Sequence, residues 1–150
     1  MRAYRRAAPR VLELTEIPSP TPGAGEVLLK VGAVGLCHTD LHILDAPDDV
    51  FPVPLTLGHE ISGRVEEVGS GVGDWRPGQA AAVFGLTFCG HCSACLAGRE
   101  NQCRVNAIGG IGLTRDGGLA DHVVVPAAQL MSAPETLDSA AVAPLTDAGL

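Results

Sequence analysis

The stretch GHEISGRVEEVGSGV, residues 58–72, opens on a histidine–glutamate pair and closes in a glycine-rich turn. Its middle, residues 61–69, reads as a β-strand, because Ile61, Val65 and Val68 alternate with polar residues and glycines bound the run. Three more segments have the same character: RVLELTEIP (10–18), EVLLKVGAVGL (26–36) and LADHVVVP (119–126). PSPTPGAGE (18–26) is a turn-rich connector and GSGVGDWRPG (69–78) a glycine-rich turn region. The basic start MRAYRRAAPR (1–10) is expected to be a solvated edge strand. CHTDLHILD (37–45) has the spacing of a short helix, with Leu41 and Leu44 on one side. ETLDSAAVAPLTDAGL (135–150) reads as helical after a capping region at Thr136 to Asp138, with Pro144 kinking or ending it. The expected architecture is one mainly β domain with a cysteine-rich lobe at 87–103 and a helical exit.

Composition agrees with that class. The 150 residues include 19 glycines and 11 prolines yet remain 46% hydrophobic, which fits many turns joining short strands around a small-residue core. Seventeen acidic residues against ten basic ones give a formal charge of −7, which argues against nucleic acid or an anionic membrane as partner. No apolar run reaches membrane-spanning length, and no apolar stretch follows the basic start, so no secretory signal is expected.

Four of the five cysteines fall in CGHCSACLAGRENQC, residues 89–103, as C-x2-C-x2-C-x7-C. Two-residue gaps let neighbouring thiolates converge on one ion, and the seven-residue loop returns the fourth. Four soft sulfurs in a closed tetrahedron suit a structural Zn²⁺ held by Cys89, Cys92, Cys95 and Cys103. Iron–sulfur clusters also take four thiolates, but at other spacings. The lobe is too rich in Gly, Ser, Asn and charge for its cysteines to be core. His91 lies among the ligands and is expected to be a solvated loop residue. Cysteines used this way point to a reducing, cytoplasmic compartment.

A second constellation is weaker taken piece by piece. GLCHTDLH (35–42) supplies Cys37, His38, Thr39, Asp40 and His42, while His59 and Glu60 stand at the head of the opening stretch. A thiolate, an imidazole and several oxygen donors could serve a metal, but a third firm ligand is not evident from these segments alone, and a lone His or Cys is more often packed core.

The motifs together resemble the zinc-containing medium-chain alcohol dehydrogenases. Residues 58–72 follow that family's G-H-E-x2-G-x5-G-x2-V pattern, GLCHTDLH is similar to its segment with the first zinc-binding cysteine and proton relay, and the four-cysteine lobe has its structural-zinc spacing. The likeness covers essentially the whole chain and looks closest to the bacterial secondary-alcohol dehydrogenases. It implies a GroES-like barrel carrying the catalytic zinc, with an α/β Rossmann domain for NAD or NADP in a part of the protein outside residues 1–150. No G-x-G-x-x-G occurs here; GSGVGDWRPG and IGGIG both fail its spacing and context.

The resemblance assigns roles. Cys37, His59 and Asp147, the last in PLTDAGL, are implied as ligands of a catalytic Zn²⁺ with one position open, and Glu60 as a possible further ligand. A Cys2His set is the usual example for alcohol dehydrogenases, so Asp147 departs from it while conserving charge, and oxygen in place of sulfur should leave a slightly harder Lewis acid. Zinc lowers the pKa of bound water towards about 7 and would do the same for an alcohol. Thr39 and His42 are implied as the relay that carries the released proton outward past the cofactor ribose. Asp40 is implied as the carboxylate that orients His59, and His38 as a cofactor pyrophosphate contact, weaker than the arginine often found there. Gly78-Gln79 replaces the Gly-Asp of many relatives, with only a local hydrogen-bonding change expected. The implied reaction is reversible oxidation of a primary or secondary alcohol to aldehyde or ketone by hydride transfer to NAD(P). The partners expected are a small alcohol or carbonyl substrate and copies of the same chain in a homodimer or homotetramer, without nucleic acid or membrane. Residues 1–150 alone are expected to bind zinc without turnover. Leu41, Phe51, Phe84, Leu86 and Phe88 are candidate pocket residues, although core packing explains most of them as well. The alternatives are a zinc-stabilised GroES-like scaffold, which has no use for Cys37, Thr39, His42, His59 and Asp147 together, and a zinc-free quinone reductase, which has no use for the ligands.

Overall fold

A computed structural model describes residues 1–105 and 109–149. Residue 108 of the IGGIG run and the terminal Leu150 lie outside the described residues.

The anticipated strands are present. β1 (Arg2–Ala8) and β2 (Val11–Glu16) form an antiparallel ribbon, β3 (Glu26–Gly35) is the longest strand, β5 (Glu60–Val68) follows the histidine–glutamate pair, and β7 is His122–Pro126. Three short strands complete the set: β4 (Leu55–Thr56), β6 (Ala80–Val83) and β8 (Leu130–Ser132). Two sheets result, ordered β2-β1-β4 and β7-β3-β5-β6-β8. A bridge between Ala3 and Ala120 and the Tyr4 amide bonded to the Leu119 carbonyl tie β1 to the approach of β7, which joins the sheets. Val27, Leu29, Ile61, Val65, Ala81, Val83, Val123 and Val125 fill the space they enclose.

β6 went unnoticed in the sequence for a physical reason. Ala81 and Val83 face the barrel core, while Ala80 and Ala82 pack against Val142 on the other side. A strand buried on both faces has no polar alternation to announce it.

The basic start is not a solvated edge. β1 is the middle strand of its sheet, with β2 on one side and β4 on the other. All four arginines of residues 1–10 pair with aspartates: Arg2 with Asp121, Arg5 with Asp116, Arg6 with Asp48 and Arg10 with Asp45. Arg6 is fully buried and donates to the Ala46 carbonyl at the end of the first helix. Such a cation at a helix C-terminus is electrostatically favourable.

That helix, α1 (His38–Asp45), occupies the segment anticipated for it. Its inward residues are Asp40 and Ile43, with Leu44 packed at the edge of the Ile43–Leu55–Leu57 cluster. Leu41, expected beside Leu44 on one side, is exposed, because a helix this short turns only a narrow stripe inward. The final segment starts as anticipated, with the Asp138 side chain capping α3 (Ser139–Val142); α2 is the four-residue Ser93–Leu96 in the cysteine lobe. At Pro144 the helix tightens into a 3-10 turn over Ala143–Thr146. α3 lies close over Gly32, where an added Cβ would stand 2.4 Å from the Ser139 hydroxyl.

Candidate metal centres and their surroundings

The register of β3 against β5 builds the first site. Gly35, the last residue of β3, pairs with Glu60, the first of β5. Cys37 leaves one strand and His59 enters the other at the same end of the sheet, so residues 22 apart in sequence meet with Cys37 Sγ 3.2 Å from His59 Nε2. The 3-10 turn over β5 brings Asp147 Oδ2 to 3.7 Å from the same nitrogen. Donors bound tetrahedrally to one zinc stand about 3.5 Å apart, and donor atoms of Cys37, His59, Glu60 and Asp147 all lie within 4.8 Å of one another. The set fits a zinc ion with its sulfur, nitrogen and oxygen donors already converged.

Glycine makes that convergence possible. A Cβ on Gly35 would stand 1.8 Å from Glu60 Oε2, so the Glu60 carboxylate lies where any other residue would have a side chain. Gly58 adopts φ +89° just before His59, a conformation that side-chain-bearing residues rarely adopt. At Gly63 and Gly69 an added Cβ would meet the carbonyls of Lys30 and Gly23 at 2.2 and 1.8 Å. Gly58, Gly63 and Gly69 mark places where another backbone or side chain comes too near for substitution. Gly35 was missed in the sequence, although a glycine inside a strand is itself a signal of close approach.

Polar contacts fix the donors. Cys37 caps α1: the Thr39 amide donates to its Sγ at 3.2 Å, and the Asp40 carboxylate accepts from the Cys37 amide at 3.1 Å. The other Asp40 oxygen accepts from the Gly58 amide at 3.1 Å and faces His59 Nδ1 at 3.5 Å. Asp40 therefore binds the backbone segments that carry Cys37 and His59 and turns His59 so that Nε2 points at Cys37 and Asp147. Burial pushes the Asp40 carboxyl up, but His59 and the two amides together bring it below the usual range. The same carboxylate, working against burial and helped by the Cys37 sulfur, raises His59 to about 9. Glu60 is buried, and desolvation followed by the Asp147 charge raises its carboxyl.

Thr39 is half-buried, one turn from the exposed His42 on α1. His38 is exposed too, its ring centroid 6.1 Å from that of His42. The hydrophobic candidates do not form one pocket. Phe51 packs beside the Ile43 cluster and Leu41 and Leu86 are exposed, whereas Phe84 and Phe88 tilt together and line a cavity of about 370 Å³ with Gln129 and Met131. At the Gly78–Gln79 turn, the Val65 amide donates to the Gln79 carbonyl and the Gly78 amide to that of Val65.

The second centre is local. The two ends of the lobe run side by side, with Leu86 bridged to Gly110 and Thr87 bonded to the Gly109 carbonyl. Sulfur separations are 3.5 Å for Cys92–Cys95, 3.9 Å for Cys89–Cys95 and 4.0 Å for Cys92–Cys103. Four sulfurs around one zinc stand about 3.8 Å apart, and none of the five cysteines forms a disulfide. Amides of Cys92 and Cys89 donate to Cys89 and Cys103. Burial and then the neighbouring thiols push Cys95 up to about 12, while hydrogen bonds from the Cys95 backbone and side chain lower Cys92. His91 is exposed, its ring against the Cys89 carbonyl, and is not a fifth donor in that group. Among the described residues no helix is long and apolar enough to cross a membrane.

The alcohol dehydrogenase GroES-like domain family matches residues 23–135. L-threonine 3-dehydrogenase from Xanthomonas campestris pv. campestris strain B100 is 38% identical over 138 residues, covering 90% of this chain and 40% of that protein. The cobalt- and zinc-bound thermostable alcohol dehydrogenase from Pyrobaculum aerophilum superposes with a TM-score of 0.90 at 35% identity, over 97% of this chain and 44% of the other. The alcohol dehydrogenase rspB from Escherichia coli CFT073, complexed with NADH, has a TM-score of 0.84 at 35% identity, over 97% and 41%. The chain spans about 40% of the length of the curated relatives it matches. It belongs to the alcohol dehydrogenase GroES-like domain family, within the zinc-containing medium-chain alcohol dehydrogenases.

Proposed function

We infer that residues 1–150 are the catalytic domain of an NAD(P)-dependent zinc alcohol dehydrogenase, working in the cytoplasm on a small alcohol or carbonyl compound. The observation that carries this reading is the asymmetric donor set: Cys37, His59 and Asp147 converge at one end of the sheet, separate from the closed four-cysteine lobe. A structural scaffold needs the lobe and has no use for the second set.

Cys37, His59 and Asp147 would hold the catalytic zinc, Cys89, Cys92, Cys95 and Cys103 the structural one, with Glu60 beside the former. When bound, that zinc and the nicotinamide coenzyme supply Lewis-acid polarisation of the substrate oxygen and a hydride acceptor. The chain's own residues do the rest. Asp40 fixes the His59 ring, and its amide bonds hold the Cys37 and Gly58 backbones in place. As the Thr39 hydroxyl takes the substrate's hydroxyl proton it passes its own outward, and His42, one turn on and exposed, delivers a proton to solvent. His38 meets the coenzyme pyrophosphate. Glu60, with its carboxyl raised by burial, stays an intermittent neighbour and not a permanent fourth ligand, which would leave the centre anionic. The coenzyme site is assigned to a Rossmann domain outside residues 1–150; the chain covers only 40% and 44% of two relatives, which leaves length for such a domain.

Alcohol-dependent reduction of NAD or NADP, followed at 340 nm in protein carrying both domains, tests the reading. Cys37→Ser should abolish turnover and Thr39→Val should lower kcat about 100-fold or more. Turnover unchanged in both, or turnover by residues 1–150 alone, would contradict it.

A further inference from the structure

His38 and His42 stand four residues apart on α1, the spacing that sets two imidazoles above one another on one helix face. Both side chains are exposed, and their ring centroids are 6.1 Å apart with the planes inclined by 42°. A metal–nitrogen bond of about 2.1 Å puts an ion about 3.2 Å from each ring centroid, so two rings in a cis or tetrahedral chelate stand about 4.5–5.3 Å apart. The observed 6.1 Å closes to that separation by rotation of two exposed side chains, without moving the helix. Both carboxylates of α1 are engaged away from these rings, Asp40 with the Cys37 and Gly58 amides and His59, and Asp45 with Arg10 at 2.9 Å. The remaining histidines are differently placed, His91 against the Cys89 carbonyl and His122 against Glu66 at 3.0 Å.

We propose that α1 carries a third metal site, a two-histidine chelate of His38 and His42 for a divalent transition ion of the imidazole-preferring kind: Ni²⁺, Cu²⁺ or excess Zn²⁺. It is distinct from both donor groups described above, shares no ligand with them, and is open on its outer side. Two imidazoles leave most of the ion's coordination to water, so the site loads after the two zinc centres and empties first. Its consequence rests on the functional reading above: an ion there occupies the two rings assigned to the coenzyme pyrophosphate and the proton exit, and so competes with coenzyme. Excess zinc would then oppose the reaction that resident zinc supports.

The test uses the zinc-loaded chain and Ni²⁺ alone, without coenzyme or turnover, so its failure is separable from failure of the dehydrogenase reading. Paramagnetic Ni²⁺ added in steps should broaden the imidazole C–H resonances of His38 and His42 before those of His91 and His122, with no zinc released. Calorimetry should show one Ni²⁺ per chain, weakened about tenfold or more in either His38→Asn or His42→Asn, since each removes one arm of a chelate. Zinc content of each variant confirms that the fold persists, and the broadening pattern of the parent stands without any variant. Equal broadening of all exposed histidines, nickel uptake matched by zinc release, or affinity unchanged in both variants would overturn the proposal.

Discussion

The two metal centres of this domain are built on opposite principles. The four-cysteine lobe draws all its donors from fifteen consecutive residues, 89–103, and closes on itself. The centre at Cys37 takes its donors from three segments separated by up to 110 residues, and half of the Asp147 side chain faces solvent. A local, closed set of one donor type holds a loop together and leaves the metal no vacant position. A set gathered from strand ends and a distant turn depends on the barrel for its geometry and can keep a position open. On the function proposed above, the first site stabilises and the second reacts.

The largest test of this contrast is Cys95→Ser. A structural zinc typically contributes about 10–16 kcal/mol to the folding of its own unit, so losing a buried ligand should cost several kcal/mol. Thermal melting with and without a chelator would show it, while the Cys37 centre keeps its metal. Asp40→Asn reverses the pattern. Without the carboxylate that faces His59 Nδ1, metal affinity at that centre should fall about 10–100-fold, as read by competition with a chromophoric chelator, and the lobe should be untouched. Gly35→Ala is the mixed case: its Cβ would collide with Glu60, costing about 1–3 kcal/mol in overpacking and perturbing the visible spectrum of cobalt at the Cys37 centre alone.

The pH dependence separates metal-free from metal-bound chain. His59 is raised to about 9 by Asp40, so in the metal-free chain this pairing stabilises fully below the unfolded value near 6.5 and is lost as pH rises through 9. Zinc must displace the same proton, so its affinity at the Cys37 centre rises across that window. Chemical denaturation and zinc titration at pH 6.5 and 9 should therefore move in opposite directions. The smallest effect is expected at the N-terminus, where the exposed pair of Arg10 and Asp45 should be worth less than about 1 kcal/mol; Arg10→Ala should barely shift the denaturation midpoint.

How much could be read beforehand follows the same divide. The lobe was legible because its information is contiguous: spacing alone names donors and metal. For the second centre, Cys37 and His59 carried only weak signals, and Asp147 carried none without family likeness, since no local pattern says that a carboxylate past a 3-10 turn will reach a strand end. β6 was illegible because both its faces are buried, and Arg6 because a fully buried arginine looks in sequence like a solvated one. Conversely, the cap and break of the last helix were readable at Asp138 and Pro144, because both act on their immediate neighbours.

The most direct measurement is the zinc content of the purified chain beside that of Cys37→Ser, after removal of loosely held metal. Two donor groups predict two zinc ions per chain in the parent and one in the variant, the survivor being in the lobe. One ion in both would contradict the account, because the convergence of Cys37, His59 and Asp147 would then hold no metal.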